Sequence, residues 1–544
     1  MTLSAEEQFA LELINRARLD PRAEAARLGI DLNAGLAPGT LDGASRQILA
    51  PNALLEQAAE GHGQWMLDTG TFSHTGAGGS GPYDRMVAAG YVFSGHWGAA
   101  ENIASLSGPA AGADALAMLR QHLDTLFRSP GHRLNLLDGT YRELGLAQVI
   151  GYSPNGRTVT SMLVEDFARS GTGLFLTGVA YSDRDGDGFY SLGEAVAGMR
   201  IFTATAQTAS HEAGGYAMQL SPGSGLTAVL IETGAHQLRL SVRIDGQNVK
   251  LDVVDGTTVR VSADTVLHSG IREAELLGLR DLSLIGAEGD EVLRGNAGSN
   301  ILRGEGGNDT IYGGSGHDNI GGGGGDDLIY GVSGSNVIWA GAGNDTVQGG
   351  SGSDTVYGGA GVNQLFGNDG NDLIYTSPGG GLTGGGAGND TIYGAEGADT
   401  LYLGFGDDFA GGGGGNDLIF GGAGNNRIYG GTGDDTIVAG TGRDVMTGSP
   451  GADHFIFNSA AHIGIGAARD VITDFETGLD RIDLRALGTS LSTTGGLTGG
   501  GTASFYYYAA GGLLIGDQNG DGMPDWVIEL QNRPAVFGAG DVLL

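Results

Sequence analysis

From Gly286 to Ile456 the chain repeats one nine-residue phrase, G-G-x-G-x-D-x-U-x with U apolar, for 19 phrases without losing register. No other feature so narrows what these 544 residues can fold into. Glycines early in each phrase permit tight turns and positive φ, so carbonyl oxygens can converge on an ion. The sixth residue supplies a carboxylate, a hard oxygen ligand suited to Ca²⁺. The eighth is expected to point inward from a short strand, as at Ile311, Ile329, Val347, Ile374, Ile392 and Ile437; only Thr383 and Ala410 interrupt that apolar column. Such phrases build parallel β-rolls. A disordered glycine-rich linker would not hold its aliphatic residues in step.

The sixth position is Asp at 309, 318, 327, 345, 354, 372, 390, 399, 408, 417, 435, 444 and 453. By residue these candidate calcium ligands are Asp309, Asp318, Asp327, Asp345, Asp354, Asp372, Asp390, Asp399, Asp408, Asp417, Asp435, Asp444 and Asp453. Asn300, Asn336, Asn363 and Asn426 keep an oxygen but lose the charge, which predicts weaker sites; Glu291 and Gly381 fill the other two phrases. Two phrases make one coil, so ligands should pair between phrases two apart. The phrase TSPGGGLTG (376–384) lacks the carboxylate, carries Pro378 and predicts a gap or bulge in the ion row.

Net charge is −35, of which −18 falls within 286–456 together with 53 of the 106 glycines. Nucleic acid is thereby excluded as a partner and cations are favoured. There is no cysteine, so bound metal takes the constraining role that disulfides play elsewhere. The opening MTLSAEEQFALELINRARLDP shows no basic segment followed by an apolar run, and no stretch reaches the ~18 apolar residues of a transmembrane segment.

The repeat resembles the RTX, or hemolysin-type, family. The segments ADHFIFNSAAHIGIGAARDVITDFETGLDRIDLRAL (452–487) and GDQNGDGMPDWVIELQN (516–532), with the closing GDVLL, resemble the C-terminal region of serralysin-type RTX proteins. That resemblance implies an extracellular protein, exported by type I secretion machinery without a cleaved N-terminal signal, released or associated with the cell surface. Low calcium inside and high calcium outside would then couple folding to export. Two RTX cargoes are excluded. Pore-forming toxins need long apolar segments and acylated lysines, and Lys250 is the only lysine; serralysin proteases need H-E-x-x-H, and His211-Glu212 lacks the second His.

The cargo must therefore be read from the first half. Ser4-x-x-Glu7 is a capping box before a helix on which Phe9, Leu13 and Ala17 share a face; Asp20-Pro21 starts a second helix, ending near Gly29; Asn52 caps a third. ELGLAQVIGY, SPNG and RTVTSMLVEDFA read as a β-hairpin. The phrases FSHTG (72–76), GPYDRMVAAGY (81–91), AENIA (100–104), SPGHRLNLL (129–137) and YRELG (141–145) resemble the bacterial branch of the CAP superfamily (SCP, PR-1 and antigen 5 proteins) across 1–170. The resemblance implies an α-β-α sandwich and a cleft lined by His74, Glu101, His132 and Glu143. Two imidazoles and two carboxylates suit Zn²⁺ or another divalent ion, or an acid–base pair; a buried polar network that fixes loops is the plainer reading. Leu126 and Ala100 depart from the family's usual Trp and Gly, and His62, His96 and His122 read as structural or solvated. No catalytic residue is assigned.

Residues 174–268 alternate in strand fashion, with Leu238, Leu240, Val242 and Ile244 on one face and a turn at Asp245-Gly246, and resemble the SdrD B-like, prealbumin-like β-sandwich. Within them DRDGDGFYSLGE (183–194) has calcium-loop spacing: Asp183, Asp185, Asp187 and Glu194 offer carboxylates, Phe189 a carbonyl, Gly188 the turn. A poorer turn, DQNGDGMPD, offers Asp517, Asn519, Asp521 and Asp525. The expected organisation is a CAP-like domain (1–170), a β-sandwich (174–268), a linker or roll cap (269–285), the β-roll (286–456) and a β-rich C-terminal cap with the secretion signal (457–544). The expected role is extracellular binding of a ligand, lipid or protein, folding being triggered by calcium. The competing classes are a metal-dependent hydrolase acting through the His/Glu cleft and a structural surface or matrix protein.

Overall fold

The computed structural model describes residues 3–108, 114–152, 158–220, 225–234, 236–492, 495–497 and 499–544. The chain forms two compact units, Met1–Ile285 with Arg294–Gly298, and Gly286–Leu293 with Ser299–Leu544.

In the first unit Ser4 Oγ accepts from Glu7 N–H at 3.2 Å while the Glu7 carboxylate accepts from Ser4 N–H at 2.9 Å. This reciprocal cap starts α1 (Ala5–Leu19). Asp20 caps α2 (Pro21–Arg27) through Ala23 N–H, and β1 (Ala50–Pro51) leads to Asn52, which caps α3 (Ala53–Thr69). Then follow α4 (Pro82–Ala88), β2 (Gly98–Gly108), α5 (Ala115–Arg128), α6 (Pro130–Leu136), β3 (Glu143–Tyr152) and β4 (Val159–Arg169). The sheet order is β1-β3-β4-β2. Alternation along β4 sends Leu163 and Phe167 into a core with α1, α2, α5 and α6, and Met162 and Val164 into a core with α3. The result is the α-β-α sandwich that the resemblance implied. β3 and β4 pair antiparallel from Glu143↔Ala168 to Tyr152↔Val159; the SPNG turn between them lies outside the described residues.

Two further sheets follow in the same unit. β5 (Leu174–Tyr181), β6 (Arg200–Phe202), β7 (Gln207–Ala209), β8 (Gly215–Leu220), β9 (Leu226–Thr233), β10 (His236–Arg243), β11 (Val249–Val254), β12 (Thr258–Val261) and β13 (Thr265–Ser269) arrange as β8-β5-β11-β12 and β7-β6-β9-β10-β13. Leu238, Leu240, Val242 and Ile244 are all buried between them. The stretch expected as a linker or cap carries strands of its own: β14 (Glu273–Leu276) lies parallel to β12, and β15 (Ser283–Ile285) parallel to β13. Lys250 on β11 is buried and donates to Glu12 Oε2 of α1 at 2.5 Å and to Asp252 Oδ1 at 2.6 Å. Burial pulls the Lys250 amine down, but Asp252 and Glu12 more than reverse this and hold it above its ordinary value. Asn248 reinforces the junction by donating to Ile48 O and Arg142 O.

In the second unit short strands 18 residues apart stack in parallel, as Ile311↔Ile329 and Ile320↔Ile338 do, so two phrases make one coil. The eighth residue of every phrase is buried, Thr383 and Ala410 included. The expected bulge at 376–384 is absent: Gly381 pairs with Asn363 on one side and Asp399 on the other, in unbroken register. Gly381 sits at φ 157 and Thr383 takes the inward position, so the backbone continues where the ligand chemistry does not. The parallel ladder also continues beyond 456, with Val445↔Val471 and His454↔Arg481. An antiparallel meander, Ser504–Tyr508, Leu513–Asp517 and Trp526–Leu530, then covers the end.

Candidate functional site

The sixth residues of the phrases form two rows in the roll, each member bonded to the next coil's member except around Gly381, where Asp399 Oδ1 has no partner. Asp Oδ1 accepts the backbone N–H of the residue 18 earlier, as in Asp309 N–H to Asp327 at 2.9 Å and Asp354 N–H to Asp372 at 2.8 Å. At Asp309, Asp327, Asp345, Asp354, Asp372, Asp390, Asp408, Asp417, Asp435, Asp444 and Asp453, Oδ2 is buried without a hydrogen-bond partner. A buried carboxylate oxygen left so is costly. Burial pushes Asp309, Asp372, Asp417 and Asp453 up to about 7, and Asp327, Asp354, Asp408 and Asp435 to about 6.

Where a phrase opens on glycine, that residue shapes the space beside the oxygen. A Cβ on Gly322 would stand 2.2 Å from Asp327 Oδ2 and 2.3 Å from Ala340 O; on Gly412 it would stand 2.2 Å from Asp417 Oδ2 and 2.3 Å from Gly430 O. A carboxylate oxygen and carbonyl oxygens thus face one small cradle beside Gly322 and Gly412, whereas Ala340, Leu403 and Ala439 hold the same phrase position before Asp345, Asp408 and Asp444. Clustered hard oxygens of net negative charge fit Ca²⁺.

The asparagines use the cradle differently. Asn363 Oδ1 accepts from Asp345 N–H at 2.7 Å, and its Nδ2 donates to Gly358 O at 2.6 Å. Asn426 Nδ2 donates to Gly421 O at 2.9 Å, and Asn336 Nδ2 to Gly334 O at 3.2 Å. At these three positions the second branch presents donor hydrogens to a carbonyl oxygen where Asp presents an oxygen. Asn300 continues its row through Asp318 Oδ1. Next to Gly381, Thr376 donates to Asp399 Oδ2 at 3.1 Å and Ser377 bonds Asn363 Nδ2, which closes the row locally.

Two row members lie beyond the repeats. Asp444 N–H donates to Asp470 Oδ1 at 2.8 Å, and Asp453 N–H to Asp480 Oδ1 at 3.0 Å. Asp470 Oδ2 is a further buried, unpartnered oxygen, and burial pushes this carboxyl to about 8. Asp480 spends Oδ2 on Glu476 N–H, just as Glu291 spends Oε2 on Ala287 N–H at the other end of the same row. Insertions that replace the 18-residue step by 26 and 27 residues hide them from the nine-residue count; the Asp-x-apolar pattern of DVI and DRI, shared with the phrases, was the available signal.

In the sandwich, Asp183, Asp185 and Asp187 bring ligand oxygens within 4.8 Å of one another, the only such set of three among the described residues. Glu194 is buried and accepts from Arg184 N–H at 2.8 Å and Ser191 N–H at 2.9 Å, closing the loop, while Phe189 N–H bonds Asp187. Strands flank the loop, Tyr181 bridging to Ala195. The turn at Asp517 is built alike: Asp517 accepts from Gly520 and Gly522 N–H, Asn519 from Asp521 N–H and Asp521 from Met523 N–H, and Asp525 takes Gln518 N–H at 2.7 Å.

In the α-β-α layer His74 Nδ1 lies 2.8 Å from Glu101 Oε1, and Arg85 bonds Glu101 Oε2. His62 Nε2 stands 4.0 Å from the same carboxylate and 2.9 Å from Ser73 O. His132 Nδ1 is bonded to Ser129 Oγ at 2.8 Å, and burial with the neighbouring His74 holds this imidazole below its ordinary value. The expected fourth member is not among them: Glu143 accepts from Asn52 at 2.6 Å and Tyr91 at 2.5 Å. These four residues do not converge as a cage for Zn²⁺. Sequence reading missed Arg85 and Asp166. Asp166 pairs with Glu101 across strands, is fully buried with both oxygens unpartnered, and is held well above the carboxylate range by burial and then by Glu101. His122 is structural, buried on Ser161 at 2.9 Å.

A parallel roll whose coils share rows of buried Asp oxygens, joined to an α-β-α layer with a His–Glu–Arg cluster, defines a multidomain calcium-binding protein. Residues 285–459 match the RTX calcium-binding nonapeptide repeat in six segments, and residues 11–163 match CAP, the cysteine-rich secretory protein family. The chain therefore carries a CAP domain followed by RTX repeats. No curated protein matches it. Among solved structures, the AlgE6R3 subunit of the Azotobacter vinelandii mannuronan C5-epimerase is similar at 26% identity over 29% of this chain and 78% of that one, with a TM-score of 0.13. No helix among the described residues is long and apolar enough to cross a membrane.

Proposed function

We propose that this is a secreted, extracellular binding protein whose roll folds when it meets external calcium and whose CAP domain engages the ligand. The observation that carries the reading is the pair of rows of buried, unpartnered Asp Oδ2 atoms. Without a cation their mutual repulsion and desolvation oppose the coil; with one, each Oδ2 gains a hard partner and binding energy becomes folding energy. The −18 charge of residues 286–456 makes the calcium-free segment expand by self-repulsion, a state suited to passage through a type I exporter. The resemblance of 457–544 to the serralysin-type C-terminus supports that route.

The test is a calcium titration of the full chain followed by circular dichroism and small-angle scattering. A cooperative gain of β signal with contraction is expected, and unchanged spectra would remove the trigger. Export is tested separately, by deleting 457–544 in a host with a type I exporter: the shortened chain should stay in the cells. For the CAP domain, Glu101, which joins His74 to Arg85, is the residue on which ligand binding should depend.

A further inference from the structure

The acidic loop 183–194 of the sandwich is wedged by its own apolar residues against two helices of the α-β-α layer. Tyr190 is buried in one cluster with Phe9 of α1, and Phe189, Leu13 of α1 and Leu116 of α5 pack against that cluster. The Phe189 ring meets Phe9 edge-on, with centroids 6.2 Å apart at an interplanar angle of 77°. Arg16 of α1 lays its guanidinium 4.8 Å from the centre of the Phe189 ring, and Arg120 of α5 lies 4.6 Å from that of Phe9. Arg16, Phe189, Phe9 and Arg120 thus form one continuous stack from the loop to both helices.

Phe189 belongs to both sides of this contact. Its carbonyl holds the seventh position of the calcium-loop spacing, while its ring touches α1. Its N–H donates to Asp187 Oδ1 at 2.7 Å, so the backbone that aims the ring is tied to a ligand carboxylate. Tyr190, the next residue, reaches from the loop toward α1: burial pushes its phenol up to about 12, and Glu12, Glu6 and Glu194 add to that. Asp183, Asp185 and Asp187 bring oxygens within 4.8 Å of one another, and like charges so close repel unless a cation lies between them. The far end of the stack also matters. α5, which carries Arg120, ends at Ser129, whose hydroxyl is bonded to His132 Nδ1 at 2.8 Å. The helix that the stack holds is therefore the one that places His132.

We propose that calcium in loop 183–194 regulates the CAP domain: the ion-bound loop clamps α1 and α5 through Phe189 and Tyr190, and the ion-free loop releases them. The two states differ in whether three carboxylates share a cation or push one another apart, and Phe189 carries that difference across the contact. Calcium then acts on this chain twice, on the roll through its Asp rows and on the His132 side of the CAP layer through this loop. The second effect uses no residue of the roll.

The experiment is hydrogen exchange read by mass spectrometry on the full chain across a calcium titration, for the natural sequence, Asp185→Ala and Phe189→Ala. Asp185 is exposed, so its loss removes a ligand and leaves the core intact. In the natural chain, exchange in α1 and α5 should slow by about ten-fold or more as calcium is raised, equivalent to ~1.4 kcal/mol of opening free energy. In Asp185→Ala it should stay fast and flat while the roll is still protected by calcium, which separates loss of the loop's ion from loss of the fold. Phe189→Ala keeps the carbonyl ligand, so calcium should protect the loop backbone and no longer the two helices. Helices that calcium protects as well in Asp185→Ala as in the natural chain would overturn the proposal. So would helices that remain protected in Phe189→Ala, or a loop in the natural chain whose exchange calcium does not change.

Discussion

Asn363 donates from Nδ2 to the carbonyl oxygen of Gly358 at 2.6 Å, inside the cradle where its Asp counterparts present an unpartnered oxygen. An amide there supplies a bond that needs no ion. Asn363→Asp should therefore make the calcium-free roll less stable by about 1–3 kcal/mol, the cost of an unsatisfied buried group. With calcium it should gain up to one bound ion per chain. Equilibrium dialysis and denaturant titration, each with and without calcium, measure the two effects.

The cradle can also be blocked from the glycine side. A Cβ on Gly367 would stand 2.1 Å from Asp372 Oδ2, whereas one on Gly324 would meet nothing within 4 Å. Gly367→Ala should force Asp372 Oδ2 to shift, lowering calcium affinity at its site and the melting temperature of the calcium-loaded roll, while Gly324→Ala leaves both unchanged. Equal effects of the two would mean that the glycines serve only backbone conformation.

Protons and calcium compete for the rows. The folded values near 6 to 7 for residues such as Asp327 and Asp372 lie above the ordinary carboxylate value of 3.8, so the folded, ion-free chain binds more protons than the unfolded one. Its stability should rise as pH falls from about 7 toward about 4 and should be lowest at alkaline pH. Calcium added at pH 6.5 should release protons, measurable with an indicator dye or a pH-stat.

In the CAP layer Glu101 is nearly fully buried and bonded to both His74 and Arg85. Glu101→Gln removes the charge that balances Arg85, which keeps its bonds to His74 O and Ser80 O, and loss of one charge of a buried pair costs up to about 3–5 kcal/mol. The thermal transition that is insensitive to calcium should fall, with the roll's calcium response intact.

At the junction of α1 and β11, Lys250→Met would leave Glu12 and Asp252 facing each other without their cation. A comparable loss is expected, largest at alkaline pH and relieved on acidification as Glu12, already raised by burial, takes up a proton. Melting curves across pH would show it.

Much of this structure was legible because its causes are local. Ser4, Asp20 and Asn52 announce helix starts through side chains that bond their own backbone, and the nine-residue period states the roll because every phrase repeats the same geometry. What stayed hidden depends on distance along the chain. Asp470 and Asp480 join the rows only after insertions. Asp166 meets Glu101 only through strand pairing. Glu143, one strand away from the cluster its motif suggested, is claimed by Tyr91 and Asn52, a choice made by packing. The asparagines illustrate a subtler limit: their identity was plain, but which branch atom faces the cradle follows from the coil above it.

Lys250 is the only lysine, and it is 4% exposed between two carboxylates. The folded surface accordingly offers no lysine amine. Trypsin-like cleavage after lysine, acylation by activated esters and aldehyde cross-linking through lysine all lack a target there while the junction holds. Reactivity of that one amine then becomes a chemical reporter of whether α1 and β11 are still together.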